Sequence, residues 1–367
     1  MRTALHVGQL RQAVPGGIGR YAAMLARHLP SAGVDLLTFA AGPIEGAASS
    51  LPAFTDLGRP HDGSRYELWH RLRAPRLPFS ADVVHAPSLA VPPAGAAALV
   101  VTVHDLAFRD HPSAFTRRGV AFHTRGLELA TREAEVVITA SAFVARQLAA
   151  HGVSEARLRV IPHGVTLRPA LEDDEAQRRL EALGLRQPFV LQVGTVEPRK
   201  GIDNLVAAMR RARRERPDLT LVLAGPIGWG TVSGLDDAGV VVLGHVDDPT
   251  LEALYRGAAE TTVASRSEGF GLPALEAMAH GTALIASDAT SLPEVVGDAG
   301  LLVPPDHPAA WSSAILEVVR DDPTRAELSR RGRARAATFS WEASAAAHRE
   351  AYEAARRGPD RPRTRRS

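Results

Sequence analysis

The chain has 367 residues, a length that favours two domains over a single hydrophobic core. It has 45% hydrophobic residues, 23% charged residues and a net charge of only +2, as is usual for a soluble globular protein. The absence of cysteine excludes disulfides, thiolate metal sites and cysteine nucleophiles. No apolar run reaches the roughly 20 residues of a membrane-spanning helix, and the N-terminus lacks the apolar core of a signal peptide, so we expect a cytoplasmic protein.

The first half begins with a strand, a glycine loop, a helix and a second strand. Residues 3–7 and 34–39 have the apolar composition of buried strands, and a helical pattern between them ends at Gly33. Gly16 and Gly17 lie where that helix begins, so that backbone is able to approach a diphosphate there. The run matches neither G-x-G-x-x-G nor a Walker loop, and alone it is a weak nucleotide signal. This order predicts a parallel sheet.

A histidine follows another predicted strand of the first half. Residues 98–103 form this strand, and His104 and Asp105 come directly after it. Ligands of open α/β sheets bind at the carboxyl ends of the strands, so His104 is able to donate or accept a hydrogen bond to a substrate hydroxyl there. The alternative is a structural His-Asp turn.

The stretch from Tyr66 to Pro78 mixes aromatic residues with arginines, among them Arg71, Arg73 and Arg76. Such a composition is typical of peripheral contact with an anionic membrane, and equally of a helix packed against the sheet. A second arginine cluster, at 210–216, is interpreted as a solvated helix face. We expect no nucleic-acid partner.

The second half repeats the pattern of strand, loop and helix. A strand at 189–193 is followed by a loop that carries Arg199 and Lys200 immediately before a helix. Two adjacent cations at the end of a strand are suited to neutralising a diphosphate, with the arginine able to bind in bidentate fashion.

Residues 261–281 predict a strand, a glycine turn and a short helix. Pro273 is suited to opening that helix and Gly281 to closing it. Glu268 falls in the turn and Glu276 in about the first turn of the helix. The helix N-terminus favours an anion, and neighbouring carboxylates are strong acceptors for sugar or ribose hydroxyls. The alternative is an ordinary connection with one solvated and one capping glutamate.

The two halves therefore predict an α/β protein with two doubly wound, Rossmann-like domains, and we place the boundary after residue 165. We expect the domains to face each other across a cleft. The residues expected to line it are Gly16 to Gly19, His104, Arg199, Lys200, Glu268 and Glu276.

These motifs resemble the retaining, nucleotide-sugar-dependent glycosyltransferases of family four, which have the GT-B fold. Glu268 to Glu276 matches the family's E-x7-E signature, and residues 193–201 match its donor loop. Residues 15–21, 103–106 and 161–165 match its glycine loop, histidine turn and domain junction. The resemblance covers nearly the whole chain, and it is more specific for the family than for the substrate.

The resemblance implies a role for each matching residue. Arg199 and Lys200 would hold the donor diphosphate and stabilise its charge as it leaves, and Glu276 would bind the ribose hydroxyls. Glu268 would bind hydroxyls of the transferred sugar, and His104 would contact that sugar near the reacting carbon. Further donor contacts are implied for the backbone near Gly16 and Gly17, for the backbone of Gly269, Phe270, Gly271 and Leu272, and, around the base, for His245 and Val246.

The resemblance also implies a division of labour along the chain. Residues 1–165 would form the acceptor domain, 166–186 a linker and 187–340 the nucleotide-sugar donor domain. Residues 341–356 would form a helix that crosses back to the first domain, and 357–367 a disordered basic tail.

The predicted activity is metal-independent, retaining hexosyl transfer from a nucleotide sugar. GDP-mannose is favoured as donor, UDP-hexoses come second, and the acceptor is lipid-linked, a polysaccharide such as one of the cell envelope, or a small molecule. No D-x-D occurs that could hold a metal on the diphosphate, and no cofactor is expected. We expect a cytoplasmic enzyme, with peripheral contact to the inner face of the membrane as an open possibility.

Three alternatives remain open. One is a sugar-nucleotide epimerase or hydrolase of the same fold, and another is a non-catalytic nucleotide-sugar-binding module. The third, a nicotinamide enzyme, predicts a G-x-G-x-x-G sequence that the chain lacks.

Overall fold

The computed structural model describes residues 1–12, 16–44, 51–59, 62–166 and 171–358. The chain divides into two compact units. The N-terminal unit contains residues 1–112 and 116–164 together with the chain from residue 340 onward, and the C-terminal unit contains residues 113–115 and 165–339.

The strands of the described chain follow in order. They are β1 (Arg2–His6), β2 (Asp35–Ala40), β3 (Phe54–Asp56), β4 (Val83–Ala86), β5 (Ala98–Thr102), β6 (Val136–Thr139), β7 (Leu158–Val160), β8 (Phe189–Val193), β9 (Thr220–Ala224), β10 (Val240–Gly244), β11 (Glu260–Val263), β12 (Leu284–Ser287) and β13 (Leu301–Val303).

The α-helices lie between and after these strands. They are α1 (Gly16–His28), α2 (Asp62–Leu72), α3 (Ala107–Asp110), α4 (Arg117–Glu133), α5 (Ala142–Ala150), α6 (Asp173–Ala182), α7 (Ile202–Ala212), α8 (Asp248–Gly257), α9 (Leu272–His280), α10 (Leu292–Val296), α11 (Pro308–Arg320), α12 (Asp322–Ala336) and α13 (Trp341–Arg357).

Each unit is built on one parallel sheet. The sheet of the N-terminal unit has the order β3-β2-β1-β4-β5-β6-β7, and that of the C-terminal unit has the order β10-β9-β8-β11-β12-β13. Strands buried on both faces consist of continuous apolar runs such as residues 98–101 and 189–191, which is why the sequence predicts them well. The predicted α/β class with two doubly wound sheets is confirmed.

The strand order reverses once in each sheet. In the C-terminal unit the chain runs from β8 outward to β9 and β10, then returns to β11 on the other side of β8. The loops that leave β8 and β11 therefore start side by side at the carboxyl edge of the sheet. Ligands of open α/β sheets bind at such a switch point.

The same reversal distributes the helices over the two faces of the C-terminal sheet. Right-handed crossovers put α7, between β8 and β9, on one face. They put α8, which lies within the return from β10 to β11, and α9, which follows β11, on the other face. The hydrophobic core confirms the first face, because Leu205 and Met209 of α7 pack in one cluster with Trp311 and Ile315 of α11.

The C-terminal helix α13 packs within the N-terminal unit. Its residues Trp341, Ala345 and Tyr352 are buried in the same cluster as Leu5 of β1 and Leu25 of α1. Residues 359–367 of the predicted basic tail lie outside the described residues. The predicted linker contains α6, which belongs to the C-terminal unit and packs against α8.

The stretch with aromatic residues and arginines forms α2 and the segment that follows it. Trp69 is completely buried, and His6 of β1 packs edge-on against it with ring centroids 5.5 Å apart. Arg73 pairs with Glu133 at 2.8 Å and donates to two backbone carbonyls of the segment 91–92. Of the two interpretations of this stretch, the structure therefore supports a helix packed against the sheet for its aromatic face.

Candidate functional site

The loop after β8 ends in a tight turn that carries two cations. Pro198 to Lys200 form a single 3-10 turn, and Gly201 follows with φ of 65°. A Cβ at Gly201 would lie 2.1 Å from the carbonyl oxygen of Ala264, the residue just after β11. Glycine is required on both counts, because it adopts the left-handed conformation and lets the turn touch the end of the neighbouring strand.

Arg266 clamps this cation turn from the loop after β11. Its backbone N–H donates to the carbonyl of Arg199 at 2.8 Å, and its guanidinium donates to the carbonyl of Pro198 at 2.7 Å. The guanidinium also pairs with Asp203 at 2.9 Å and with Asp306 at 2.7 Å. The position of the two cations is thus fixed by a residue 66 positions after Lys200 in the sequence.

Lys200 and Glu268 form a buried ion pair across the switch point. Their side chains approach to 2.6 Å, and both residues are less than a tenth exposed. The Ser265 hydroxyl donates to the same carboxylate oxygen at 2.8 Å. Burial raises the pKa of Glu268, but the charges of Lys200 and Arg199 and the two hydrogen bonds outweigh it and leave the pKa below its ordinary value. Glu268 is therefore an anion at neutral pH.

Arg199 is held by a second carboxylate of its own loop. Its Nε lies 2.6 Å from Glu197, and its Nη1 donates to the carbonyl of Ser267 at 3.2 Å. The same Nη1 is 4.0 Å from the second oxygen of Glu268. Two cations thus face two carboxylates, so that the cluster has no formal net charge, and a bound phosphate would have to share the cations with these partners.

The main chain of Glu268 is fixed by the loop between β12 and α10. Its N–H donates to the Thr290 hydroxyl at 3.1 Å, and its carbonyl accepts from the Ser291 hydroxyl at 2.9 Å. Both partners lie in a loop that follows the next strand of the sheet. Three consecutive strand ends, those of β8, β11 and β12, therefore hold the carboxylate in place.

The predicted strand, turn and helix over 261–281 are confirmed. Gly271, with φ of 97°, precedes α9, Pro273 occupies its first turn and Gly281, with φ of 74°, terminates it. Glu276 lies in the second turn of α9 rather than the first, because the helix already starts at Leu272. Gly269, Phe270 and Gly271, whose backbone was predicted to contact the donor, are buried in the turn.

Glu276 is partnered from the neighbouring helix α8. The Tyr255 hydroxyl donates to its carboxylate at 3.1 Å, and the Tyr255 ring stacks on His280 with centroids 4.8 Å apart. His280 in turn lies 3.0 Å from the buried carboxylate of Glu252. Tyr255 therefore orients Glu276 and is itself held in place by a buried stack.

His245 and Val246 lie between β10 and α8, and His245 is exposed. They follow a strand two positions away from β8 in the sheet order, so they belong to the same carboxyl edge as the cation turn but not to its ion-pair cluster.

The other predicted site residues belong to the N-terminal unit. Gly16, with φ of 62°, and Gly17 are exposed in the first turn of α1, and the rest of the glycine loop at 13–15 lies outside the described residues. His104 donates from Nε2 to the carbonyl of Pro87 at 2.8 Å. Burial lowers the pKa of His104 below its ordinary value, although the Pro87 hydrogen bond and the charge of Asp105 oppose this. The ring is thus neutral, and its Nδ1 is left as the hydrogen-bond acceptor.

The His104 ring packs against Tyr21, which begins a chain of buried hydrogen bonds. The two rings meet edge to face with centroids 5.0 Å apart. His348 of α13 donates from Nδ1 to the carbonyl of Ser344 at 2.7 Å, so its Nε2 must accept the Tyr21 hydroxyl proton at 2.6 Å. This assignment fixes which group donates and which accepts in each remaining hydrogen bond of the network.

The hydrogen-bond network continues from Tyr21 through two strands of the sheet and returns to α13. Thr102 donates to the Tyr21 oxygen at 2.8 Å and accepts from Nε2 of His85 at 2.8 Å. Nδ1 of His85 then accepts from the hydroxyl of Tyr352 at 2.8 Å. Neutral histidines and hydroxyls thus satisfy one another in a buried network and tie α13 to the strands that position His104.

Several residues of the site had no signal in the sequence. Arg266 looks like any polar loop residue, and Tyr255 like any apolar residue of an amphipathic helix. Glu197 stands in the same loop as the cations, and its nearness to Arg199 was the one available hint. Their roles arise from contacts between segments far apart in the chain, which spacing does not reveal.

Two further kinds of site are absent from the described residues. No group of three or more histidine, aspartate or glutamate side chains gathers there in a way that suits a metal ion. No helix among them combines the length and the hydropathy needed to span a bilayer.

Two protein-family models match the chain, one over each of the two sheets. Residues 15–169 match the model of Glycosyltransferase Family 4, and residues 173–335 match that of Glycosyl transferases group 1.

Individual proteins agree with these family matches. The chain is 42% identical over 164 residues to O-antigen chain mannosyltransferase B of Escherichia coli, a match to 42% of this chain and 43% of that protein, so it spans less than half of that relative. It is 30% identical to D-inositol 3-phosphate glycosyltransferase of Nocardia farcinica over 96% of this chain and 79% of that protein. Among solved structures, Anabaena HepE in complex with UDP-glucose is similar in fold, with a TM-score of 0.72, 18% identity and coverage of 96% of this chain and 98% of that one.

Proposed function

The chain belongs to the family-four glycosyltransferases, and we propose that it transfers a hexosyl group from a nucleotide sugar to a carbohydrate, lipid-linked or small-molecule acceptor, with retention of configuration. The family and the GT-B fold class predicted from the sequence are thereby confirmed. One observation carries the proposed activity, namely the pairing of Lys200 with Glu268 across the switch point of the C-terminal sheet.

This pairing supports a donor site because it places phosphate-binding and hydroxyl-binding groups next to each other. Lys200 and Arg199 supply the cations, and Glu268 supplies a carboxylate whose second oxygen makes no hydrogen bond to a described residue. A diphosphate on the cations would leave that oxygen available to a hydroxyl of the attached sugar. Glu276, oriented by Tyr255, would bind the ribose hydroxyls.

In the proposed reaction the acceptor hydroxyl oxygen bonds to the anomeric carbon while the bond from that carbon to the phosphate oxygen breaks. The nucleoside diphosphate leaves with the electron pair and takes the acceptor's proton on the departing oxygen. Arg199, Lys200 and the N-terminus of α9 stabilise the growing negative charge more than they stabilise the bound donor, and this difference accelerates the reaction. Attack on the same face would give retention without a covalent intermediate. No metal ion or other cofactor takes part in this scheme.

GDP-mannose is the favoured donor and UDP-hexoses are the second choice. The form of the cation loop and the likeness to a protein named as a mannosyltransferase support GDP-mannose. The likeness in fold to a protein solved with UDP-glucose supports the UDP-hexoses. Neither Glu268 nor Glu276 discriminates among hexoses, because several sugars present similar hydroxyls.

We further propose a cytoplasmic enzyme of cell-envelope polysaccharide synthesis. Peripheral membrane contact would rest on Arg71 and Arg76, since Trp69 is buried and Arg73 is engaged with Glu133. Sedimentation with anionic vesicles at low salt, abolished in an Arg71→Gln/Arg76→Gln variant, is the expected result for this contact. Equal sedimentation of both proteins would contradict it.

The activity is tested with a panel of nucleotide sugars, with the nucleoside diphosphate and the sugar products identified. Transfer predicts a glycoside with the same anomeric configuration as the donor, and activity that persists in a chelator. An isomerised sugar released without any acceptor would instead indicate an epimerase. Absence of both binding and turnover for the whole panel would contradict an enzyme.

A further inference from the structure

An exposed tryptophan lies on the loop that follows β9. Trp229 is 66% exposed and Ile227 is 69% exposed, whereas the other three tryptophans, Trp69, Trp311 and Trp341, are at most 3% exposed. The Trp229 indole makes no hydrogen bond and no ring contact with described residues. Contiguous exposed apolar groups on a soluble protein mark interaction or ligand-binding surfaces.

This loop is attached directly to the loop that carries the cations. Val196 and Ile227 form a β-bridge, in which the Val196 N–H donates to the carbonyl of Pro226 at 2.9 Å and the Gly228 N–H donates to the carbonyl of Val196 at 3.0 Å. A Cβ at Gly230 would lie 2.9 Å from the ring of Pro198, the first residue of the cation turn. Trp229 therefore lies on a loop whose backbone is fixed to the loop that carries the cation turn.

The loop lies on the face of the sheet opposite to the proposed ribose site. Val232 and Leu235, further along the loop, pack into the cluster formed by α7 and α11. Glu276 and Tyr255 belong to α9 and α8, which the crossover handedness places on the other face. A nucleoside bound at Glu276 would extend away from Trp229, so Trp229 does not face the nucleoside.

The composition of the loop favours an uncharged occupant over a membrane. Residues 225–235 contain no charged side chain. Of the two acids that follow, Asp237 is paired with Arg210 of α7. The loop itself therefore offers no cation that an anionic membrane surface would attract. The apolar C–H face of a pyranose ring, in contrast, packs well on an indole.

We propose that Trp229, with Ile227 beside it, is a stacking platform for a sugar ring of the acceptor, and that the acceptor is a saccharide or carries one next to the accepting hydroxyl. This inference rests on the proposed transferase function and names the substrate class that the platform selects. It adds an acceptor contact outside residues 1–165, the acceptor domain that the resemblance implies.

Tryptophan fluorescence tests the platform directly, because acrylamide quenches the exposed Trp229 far more than the three buried tryptophans. The wild type and Trp229→Phe are titrated with GDP, with UDP, with a saccharide panel of methyl mannoside, mannobiose, maltose and cellobiose, and with anionic vesicles. We expect at least one saccharide to shield Trp229 from quenching, and Trp229→Phe to show no such change. GDP, UDP and vesicles should not shield it.

Kinetics with the saccharide that shields best provide the second measurement. Trp229→Ala should raise the KM for that saccharide about tenfold, as expected for loss of a central aromatic contact, and Trp229→Phe should raise it less. Val160→Ala, which removes exposed apolar surface from β7, is the matched control and should leave this KM unchanged.

Three outcomes would overturn the platform. The first is that no saccharide of the panel shields Trp229 from acrylamide. The second is that GDP or UDP, without any saccharide, shields Trp229 as well as the best saccharide does. The third is that anionic vesicles shield Trp229. Binding of nucleotide sugars, measured by thermal shift and therefore without Trp229 fluorescence, separates failure of the platform from failure of the proposed function. If nucleotide sugars bind but no saccharide shields Trp229, the platform alone fails, whereas absence of nucleotide-sugar binding contradicts the proposed function.

Discussion

At the scale of single residues, the site depends on charges that are already paired before any ligand arrives. Lys200 and Glu268 are both buried, and a buried ion pair is costly to disrupt from one side because the remaining charge loses its partner. The pair thus keeps a lysine ordered beside the proposed phosphates.

Replacement of Lys200 by Met tests this role. We expect the turnover of nucleotide sugar to fall by about a hundredfold or more, as for loss of a group that stabilises developing charge. The Glu268 carboxylate would lose its nearest cation, so its pKa should rise and the thermal midpoint should drop. In Lys200→Met/Glu268→Gln the midpoint should partly recover while turnover stays low. Recovery of turnover in the double variant would show that Lys200 acts only on stability.

Tyr255 offers a milder test at the same scale. Tyr255→Phe removes the hydrogen bond to Glu276 and keeps the stack on His280, so we expect the Kd for a nucleoside diphosphate to rise about fivefold, the size of one hydrogen bond of ~1 kcal/mol. Tyr352→Phe removes a hydrogen bond to His85 in the N-terminal unit and serves as the control with unchanged Kd. Calorimetric titration measures both, and equal Kd values for the two variants would contradict the positioning role.

At the scale of elements, the cation turn is held in place by a close approach of two backbones. Gly201 has φ of 65° and its missing Cβ would overlap the Ala264 carbonyl, whereas Gly184, with φ of 68°, has no atom within 4 Å of such a Cβ. The two glycines have a similar φ and lie in the same unit, but only Gly201 is crowded by another backbone. Comparing them therefore separates the cost of backbone strain from the cost of steric overlap.

Alanine at each position gives a matched pair. Gly184→Ala should cost about 1 kcal/mol of stability, the strain of a left-handed alanine, and leave turnover unchanged. Gly201→Ala should cost clearly more and also reduce turnover, because the turn must move away from β11 and carry Arg199 and Lys200 with it. Denaturant unfolding and nucleoside diphosphate release measure the two effects. Equal losses of stability and full turnover in both variants would contradict the close approach.

The elements also show how far the sequence could predict this fold. Apolar runs predict the strands of the two parallel sheets, and Pro273 and Gly281 predict where the helix after the glycine turn begins and ends. Both predictions succeed because these signals are local in the sequence. The hydrogen bond from Arg266 to Pro198 and that from Tyr255 to Glu276 could not be predicted from the sequence. Such contacts join segments that are far apart in the chain, and they depend on how the loops and helices between different strands pack together. The aromatic composition of α2 left its environment open, and only the packing of Trp69 on β1 decides it.

At the scale of the whole molecule, the two units differ in their buried titratable groups. In the N-terminal unit, burial lowers the pKa of His348 and of His70 to about 4. The hydrogen bond to the Ser344 carbonyl opposes this shift at His348, and the charge of Arg73 adds to it at His70. Burial also lowers the pKa of His85 and of His163 well below the ordinary value. In the C-terminal unit, burial raises the pKa of Glu260 well above its ordinary value, against the charge of Arg325.

These shifts predict that acid destabilises the N-terminal unit first. The histidines are neutral when folded and bind protons when unfolded, so their contribution to stability is complete above the ordinary histidine pKa of 6.5 and is lost as the pH falls toward 4. Each histidine contributes a slope of up to about 1.4 kcal/mol per pH unit. Glu260 has the opposite sign, because its raised pKa destabilises the fold as the pH rises and not as it falls.

Hydrogen exchange followed by peptide mass spectrometry between pH 7 and pH 4 resolves the units. We expect peptides of β4, β5 and α13 to lose protection before peptides of β8 and β11. His348→Gln should make the loss less steep. Simultaneous loss in both units, or earlier loss in the C-terminal unit, would contradict the assignment of acid sensitivity to the buried histidines.

We propose that the loops after β8 and β11, together with α9, bind a nucleotide sugar through Lys200, Arg199, Glu268 and Glu276. Calorimetric titration of GDP-mannose and UDP-glucose into the wild type and Glu276→Ala tests it most directly. We predict that the wild type binds at least one of these donors and that Glu276→Ala weakens its binding about tenfold or more, because a charged acceptor for the ribose hydroxyls is lost. Identical Kd values for the wild type and Glu276→Ala, or no binding of either donor by the wild type, would contradict the account.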